Sequence, residues 1–304
     1  MNTQSNNFQL KRIKIIHEKC NIIYHISIFP SKNIISVSDD KSIKIYDINF
    51  NIIQTIEKAH EDIIYYSNIK DENNFVTCSK DKTIKTWINQ EIFNEKKYIL
   101  NQSINNAHNR DIYKVIYYSN NKLISCSEDK TVRIWEEKKN KEYQLITSLN
   151  HSNSIKSILL IEDKNILITS GVDGTFLWNL NNYNFICYLK DVCCHKTNAI
   201  ERINNDKIII GSLRMFMKII SIDEKKIVRK FKKDFWCYGI FIMEDIEYFL
   251  ICAYNYIKVF RKDNFQCVQY IEDAHESSIF GIIALNDCLI ISYGAGGLIK
   301  VWSF

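Results

Sequence analysis

The sequence is poor in the residues that usually punctuate a fold: 304 residues carry a single proline, Pro30, and eight glycines. Collagen-like and proline-rich linker architectures are excluded, and the turns must lean on Asn, Asp, Lys and Ser. No apolar run approaches the roughly 20 residues that a membrane-spanning helix needs, so no transmembrane helix is expected. The N-terminal MNTQSNNFQLKRIK holds no apolar stretch that could act as an export signal. A dominant charge is also missing. Forty basic against 35 acidic residues give +5, too mild a balance to point to direct nucleic-acid contact. Ten cysteines are present, but no C-x-x-C pair is, and Cys78, Cys126 and Cys252 lie inside apolar strand-like runs. Reduced, buried thiols in a cytoplasmic protein, with the nucleus left open, are the expectation. Cys193, Cys194 and His195 are adjacent, yet a zinc site wants more ligands at suitable spacing, so no metal is assigned.

What the sequence has is repetition. Segments 34–47 (IISVSDDKSIKIYD), 75–87 (FVTCSKDKTIKTW) and 123–136 (LISCSEDKTVRIWE) nearly superpose. ILITSGVDGTFLW at 166–178 is one residue shorter, and IISYGAGGLIKVW at 290–302 keeps the ends but loses the acidic turn. Each reads as a strand, a tight turn and a second strand ending in an aromatic residue. Six of the seven histidines give the period independently: His17, His60, His108, His151, His195 and His275 are separated by 43, 48, 43, 44 and 80 residues, the last gap being two periods with Lys233 at the skipped position. Seven repeats of roughly 43 residues use the whole length, the period of four-stranded propeller blades. The chain ends at Phe304 one strand short of a blade, and residues 9–15 form a strand with no blade of its own. The expectation is an all-β, seven-bladed β-propeller of four-stranded antiparallel blades. Its N-terminal strand completes the last blade and removes an exposed edge. Residues 1–8 read as a short flexible tail and 9–304 as one domain.

These repeats resemble those of the WD-repeat (WD40) propeller family, strongly in repeats two to four. Blade one has Tyr46 for the terminal Trp, blade five keeps neither the turn Asp nor the aromatic, and blade six has Asn255 and Phe260 there. The good repeats hold a histidine, a hydroxyl, an acid and an indole at fixed offsets: His60, Thr77, Asp81 and Trp87; His108, Ser125, Asp129 and Trp135; His151, Thr169, Asp173 and Trp178. Blade one offers His17, Ser36, Asp40 and Tyr46. A hydrolase would need such a set once, whereas it recurs about every 43 residues here. The resemblance implies a structural hydrogen-bond relay. No P-loop, G-x-S-x-G or H-E-x-x-H pattern is present, so neither an enzyme, a cofactor nor a small-molecule substrate is expected.

In the family, the top face near the central channel presents the residues three and five after the loop histidine and the one before the turn Asp. The fifth-after positions, with small gaps allowed in blades one, five and six, are Tyr24, Tyr65, Tyr113, Lys156, Ile200, Tyr238 and Phe280; Asp111 and Trp236 are third-after positions, and Tyr254 precedes the turn position of blade six. The aromatics fall on contiguous blades and, as stiff amphipathic groups, suit a binding face, the alternative being packing at blade interfaces or the channel mouth. Asp39, Asp111 and Glu128 share the arc, which suits a segment bearing Lys or Arg. The expected function is a non-enzymatic scaffold that binds a protein or peptide segment as part of a larger assembly. The alternative is anionic-membrane contact through Lys225, Lys226, Arg229, Lys230, Lys232 and Lys233. There Phe231-Lys232-Lys233-Asp234 stands where phosphoinositide-binding propellers carry Phe-Arg-Arg-Gly, and the lysines and Asp weaken phosphate capture. The Trp-Asp-x-Arg ending of cullin substrate receptors does not occur.

Overall fold

A computed structural model describes residues 9–92, 95–119, 121–189, 197–212, 217–231, 237–243 and 247–304. They form seven four-stranded antiparallel sheets arranged as the blades of a β-propeller. Blades one to six take consecutive strands over 23–56, 64–104, 112–150, 155–189, 197–230 and 239–271. Blade seven takes three strands from the C-terminal end, Ile279–Asn286, Leu289–Gly294 and Leu298–Ser303, and its outer strand from the other end, Lys11–His17. The closing pairing runs from Lys11↔Ser303 to His17↔Leu298. Ahead of it, buried Leu10 sits in the packing between blades six and seven. Its N–H donates to Gln269 Oε1 at 2.8 Å, and its carbonyl accepts from Gln269 Nε2 at 3.2 Å.

Burial follows position within the blade. The second strands, such as Ile34–Ser38 and Leu289–Gly294, are buried almost throughout because both of their faces meet a neighbouring blade. They read accordingly as near-continuous Ile, Val, Leu, Cys and Ser runs. The outer strands Lys11–His17, Ile52–Ile56 and Lys226–Lys230 are mostly exposed, and the first and last are rich in Lys, which blunts their edges. Apolar clusters fill every junction around the ring, with Trp87 and Phe75 between blades one and two and Trp178 and Leu180 between three and four.

The scarcity of glycine leaves its mark on the turns. After the acid of the turn between second and third strands, Lys41, Lys82 and Lys130 stand at φ of 68°, 69° and 70°, the left-handed region that costs a non-glycine residue about 1 kcal/mol. In blade seven the equivalent turn is Gly296-Gly297, at φ of 78° and 62°. Both of its N–H groups donate to Asn21 O, and Glu18 N–H donates to Gly297 O at 2.8 Å. The chain leaving the closing strand therefore crosses directly over this turn. A Cβ on Gly297 would lie 2.5 Å from Glu18 O and 2.6 Å from Cys20 O, so the lysine that stands at this position in blades one to three gives way here to glycine.

One reading of blade one is corrected. His17 ends the closing strand and is exposed. The buried site beside the Tyr46 phenol goes to Glu18, 8% exposed. Its Oε2 accepts from Lys44 Nζ at 2.9 Å, and Lys44 also donates to Asp40 at 2.8 Å. An ion triad thus replaces the histidine relay. Gly297→Ala should destabilise the protein by about 2 kcal/mol or more, through the combined cost of the strained φ and the backbone clash. A denaturant midpoint equal to that of the unmodified chain would show that the crossing over the turn has been misread.

Candidate partner-binding face and channel

The four-residue sets form continuous relays in blades two and three. Trp87 Nε1–H donates to Thr77 Oγ1 at 2.9 Å, Thr77 Oγ1 lies 2.8 Å from His60 Nε2, and His60 Nδ1 lies 2.9 Å from Asp81 Oδ2. Trp135, Ser125, His108 and Asp129 repeat this at 2.9, 2.7 and 3.0 Å. Burial lowers both imidazoles despite the facing carboxylates, so each ring is neutral and donates through Nδ1. Burial alone would raise Asp81 and Asp129, but hydrogen bonds from the histidine, from Thr83 or Thr131 and from a loop N–H hold them far below the usual carboxylate range. Every polar group in the relay is thereby satisfied, the requirement for burying it. In blade four Trp178 and Thr169 reach His151, but His151 Nδ1 is 3.7 Å from Asp173 Oδ2, whose oxygen takes the N–H and hydroxyl of Ser152 instead. Blade seven has Trp302, Ser292 and His275 joined at 2.8 and 2.7 Å with no acid. None of these sets opens onto the central cavity.

The inner strands do. In blades one, two, three, four, five and seven the register of the inner strand skips one residue, which is Tyr24, Tyr65, Tyr113, Lys156, Asn198 or Phe280. A β-bulge sets two residues against one and bends the strand, and in blades one to three the skipped residue and its successor both line the cavity: Tyr24 and His25, Tyr65 and Tyr66, Tyr113 and Lys114. Tyr238, whose N–H donates to Cys252 O just ahead of the inner strand of blade six, completes the circle. The fifth-after-histidine residues are therefore the bulge residues in blades one to four and seven, whereas the inner strand of blade six pairs without a skip and blade five differs. There the bulge falls at Asn198, three residues after His195, while Ile200 is 1% exposed in the packing between blades four and five.

Around the mouth the rings touch in sequence. Tyr254 meets Tyr238 at 5.8 Å between centroids, Tyr238 meets Phe280 at 5.9 Å, Phe280 meets Tyr24 at 5.7 Å, Tyr24 meets Tyr65 at 5.1 Å and Tyr65 meets Tyr113 at 5.4 Å. Lys156 Nζ closes the arc, 3.0 Å from the Tyr113 centroid, within cation–π range. All are half-buried except Tyr254, which is exposed. The cavity below measures about 1140 Å³. Its next tier is lopsided. His25, Tyr66 and Lys114 project from blades one to three, whereas Ser157, Ala199, Gly239 and Gly281 stand opposite. His25 stacks on Tyr66 at 3.8 Å, and Tyr293 reaches through the space that a Cβ on Gly281 would fill, 2.1 Å from its hydroxyl.

The acids of the arc are engaged. Asp39 Oδ1 accepts from the N–H groups of Asn21 and Ile22 at 3.1 and 3.0 Å, Asp111 Oδ2 accepts from Tyr65 Oη–H at 3.0 Å, and Glu128 lies 3.6 Å from Arg110. Of the basic stretch, Arg229 donates to Asn264 O at 2.7 Å and stacks over Phe231 and Phe265, and Lys226 pairs with Glu224 at 3.1 Å. Trp236, Lys232, Lys233, Cys193, Cys194 and His195 lie outside the described residues. The bulges and the small residues of the second tier escaped the sequence reading, although the adjacent pairs Tyr24-His25, Tyr65-Tyr66 and Tyr113-Lys114 carry their signal.

The family model described as "WD domain, G-beta repeat" matches residues 10–47, 51–87 and 100–136. The first match begins in the closing strand of blade seven and ends in blade one, so the sequence repeat is one strand out of phase with the blade. The fold is similar to the crystal structure of the WD40 β-propeller domain of Doa1, with a TM-score of 0.78 and 15% identity over 97% of each chain. No curated protein sequence matches the chain. The three matched segments read as WD40 repeats, and the chain folds as a seven-bladed β-propeller. WD40 propellers generally serve as protein-interaction scaffolds. No helix among the described residues is long and apolar enough to cross a membrane.

Two outcomes test the relays. Thr77→Val keeps the shape but leaves Trp87 Nε1–H and His60 Nε2 buried without partners, a loss of about 2–4 kcal/mol in equilibrium unfolding. Stability should also depend on pH through the buried imidazoles, since His25 and His275 are lowered to about 3 from 6.5 by burial first. The unfolded chain binds protons at these rings below about 6.5 while the fold does not. Stability is therefore full above that pH and falls progressively as the pH drops towards 3. A melting temperature that stayed flat between pH 7 and pH 4 would contradict neutral rings.

Proposed function

We propose that the protein is a non-enzymatic scaffold that binds a segment of a partner protein on the aromatic mouth of the propeller, as a subunit of a larger intracellular assembly. The observation that supports this best is the unbroken ring contact from Tyr254 through Tyr238, Phe280, Tyr24 and Tyr65 to Tyr113. Aromatics that served only to pack blades would sit in the apolar clusters at the junctions. Tyr24, Tyr65 and Tyr238 belong to none of those clusters and keep one side open to the mouth. Rigid rings with phenol handles give a partner contact area at small entropic cost. The anionic-membrane alternative has less support, because Arg229 is drawn onto blade six and Lys226 onto Glu224.

Replacing Tyr24 and Tyr238 together by Ala should lower recovery of the partner from the protein's own cells about tenfold. The thermal midpoint should move by only about 4 °C or less. Crosslinks in the unmodified protein should concentrate at 61–65, 109–114 and 276–280. Undiminished recovery by the double variant, or crosslinks confined to the lysines of 225–230, would remove the proposal.

A further inference from the structure

The aromatic mouth opens onto a floor whose charge is positive. Lys114, next in sequence to Tyr113, and Lys156 at the bulge of blade four both line the cavity, against one carboxylate, Glu201, among its described lining residues. Arg202, also on the lining, is held by Asp163 through paired contacts of 2.6 and 2.8 Å. Lys114 Nζ lies 5.1 Å from the centroid of the Tyr66 ring. Burial alone would lower the Lys114 ammonium, but Tyr66 and Glu201 outweigh it and keep it charged, while burial raises the Glu201 carboxyl despite Lys114. Among the described residues the two groups sense each other across the channel without forming an ion pair. The wall beyond Lys114 carries only the small residues Ser157, Ala199, Gly239 and Gly281, with the Tyr293 phenol lying over Gly281. The carboxylates that would favour a basic anchor are Asp39, Asp111 and Glu128, of which Asp39 accepts from backbone N–H groups, Asp111 accepts from a phenol and Glu128 pairs with Arg110 at 3.6 Å.

We infer that the anchor entering the mouth is an acidic side chain of the bound segment, its carboxylate received by Lys114 with Lys156 at the rim and its stem lying against the open sides of Tyr65 and Tyr113. This rests on the proposed top-face reading and reverses the Lys- or Arg-bearing partner that the sequence suggests. An ammonium already withdrawn from bulk water has paid most of its desolvation in the unliganded fold, so a charge-assisted hydrogen bond to it counts for more than one at the surface. Glu201 opposes the anchor, and this gives the inference its sharpest consequence: removing the two charges shifts affinity in opposite directions, which a purely structural role for either would not do.

The experiment selects displayed random peptides on the full chain and measures their affinities by fluorescence anisotropy for the unmodified protein, Lys114→Met, Glu201→Gln and the Tyr24→Ala, Tyr238→Ala double variant. The expected peptides lose binding to the double variant and share an Asp or Glu at one position. Changing that residue to its amide, or Lys114 to Met, weakens binding about tenfold or more, and Glu201→Gln strengthens it. The amide exchange in the peptide leaves the protein untouched, so it stands even if Lys114→Met disturbs the fold. Peptides that need the tyrosines but carry Lys, Arg or no shared charge, with Lys114→Met harmless, would overturn the acidic anchor and leave the face intact. Peptides indifferent to the double variant would overturn the face and the anchor with it.

Discussion

Everything in this fold depends on closing the ring. A blade presents two apolar faces and cannot cover either by itself, so each must be sandwiched, and the last blade must meet the first. The pairing of Lys11–His17 with Leu298–Ser303 does this with backbone hydrogen bonds, and Leu10 with Gln269 extends the clasp onto blade six. Because the sequence repeat is out of phase with the blade, the two chain ends complete one sheet between them. Opening that sheet would expose the long apolar second strands of two blades at once. The local cost is visible at the junction, where the chain leaves the clasp over Gly296-Gly297 and the turn gives up its acid.

Within the closed ring, buried polarity is divided between two tasks. The Trp–hydroxyl–His–Asp relays lie inside the blades, with donors and acceptors matched end to end, and stiffen the scaffold. The bulges on the inner strands perform the other task. By letting adjacent residues face the channel, they supply a rim of aromatics and a second tier beneath it. A propeller without them would offer alternate residues only, and the rim and the floor could not both be built from the same few positions.

Much of this is legible in the sequence, and the failures have physical causes. The repeat, the blade count, the closing strand and the bulge residues of blades two, three, four and seven follow from spacing, because the loop joining outer and inner strands keeps its length there. His17 misleads because its spacing to His60 matches the period. However, it stands 23 residues before Asp40, whereas His60 and His108 stand 21 before their acids, and that excess marks the slip to Glu18. Blade five misleads for the opposite reason, a bulge only three residues after its histidine. The engagement of Asp39, Asp111 and Glu128 could not be read from sequence at all, since each is satisfied through tertiary contacts.

The lopsided second tier has a consequence for whatever enters the mouth. A ring of seven identical blades would offer seven equivalent footholds, and a short ligand would spread its occupancy over all of them, blurring any directional signal. Large side chains on blades one to three facing the glycine positions of blades six and seven abolish that degeneracy. The pore acquires a compass bearing, and an object seated in it is held at one azimuth, so that whatever is attached to it leaves the disc over a defined sector of the rim.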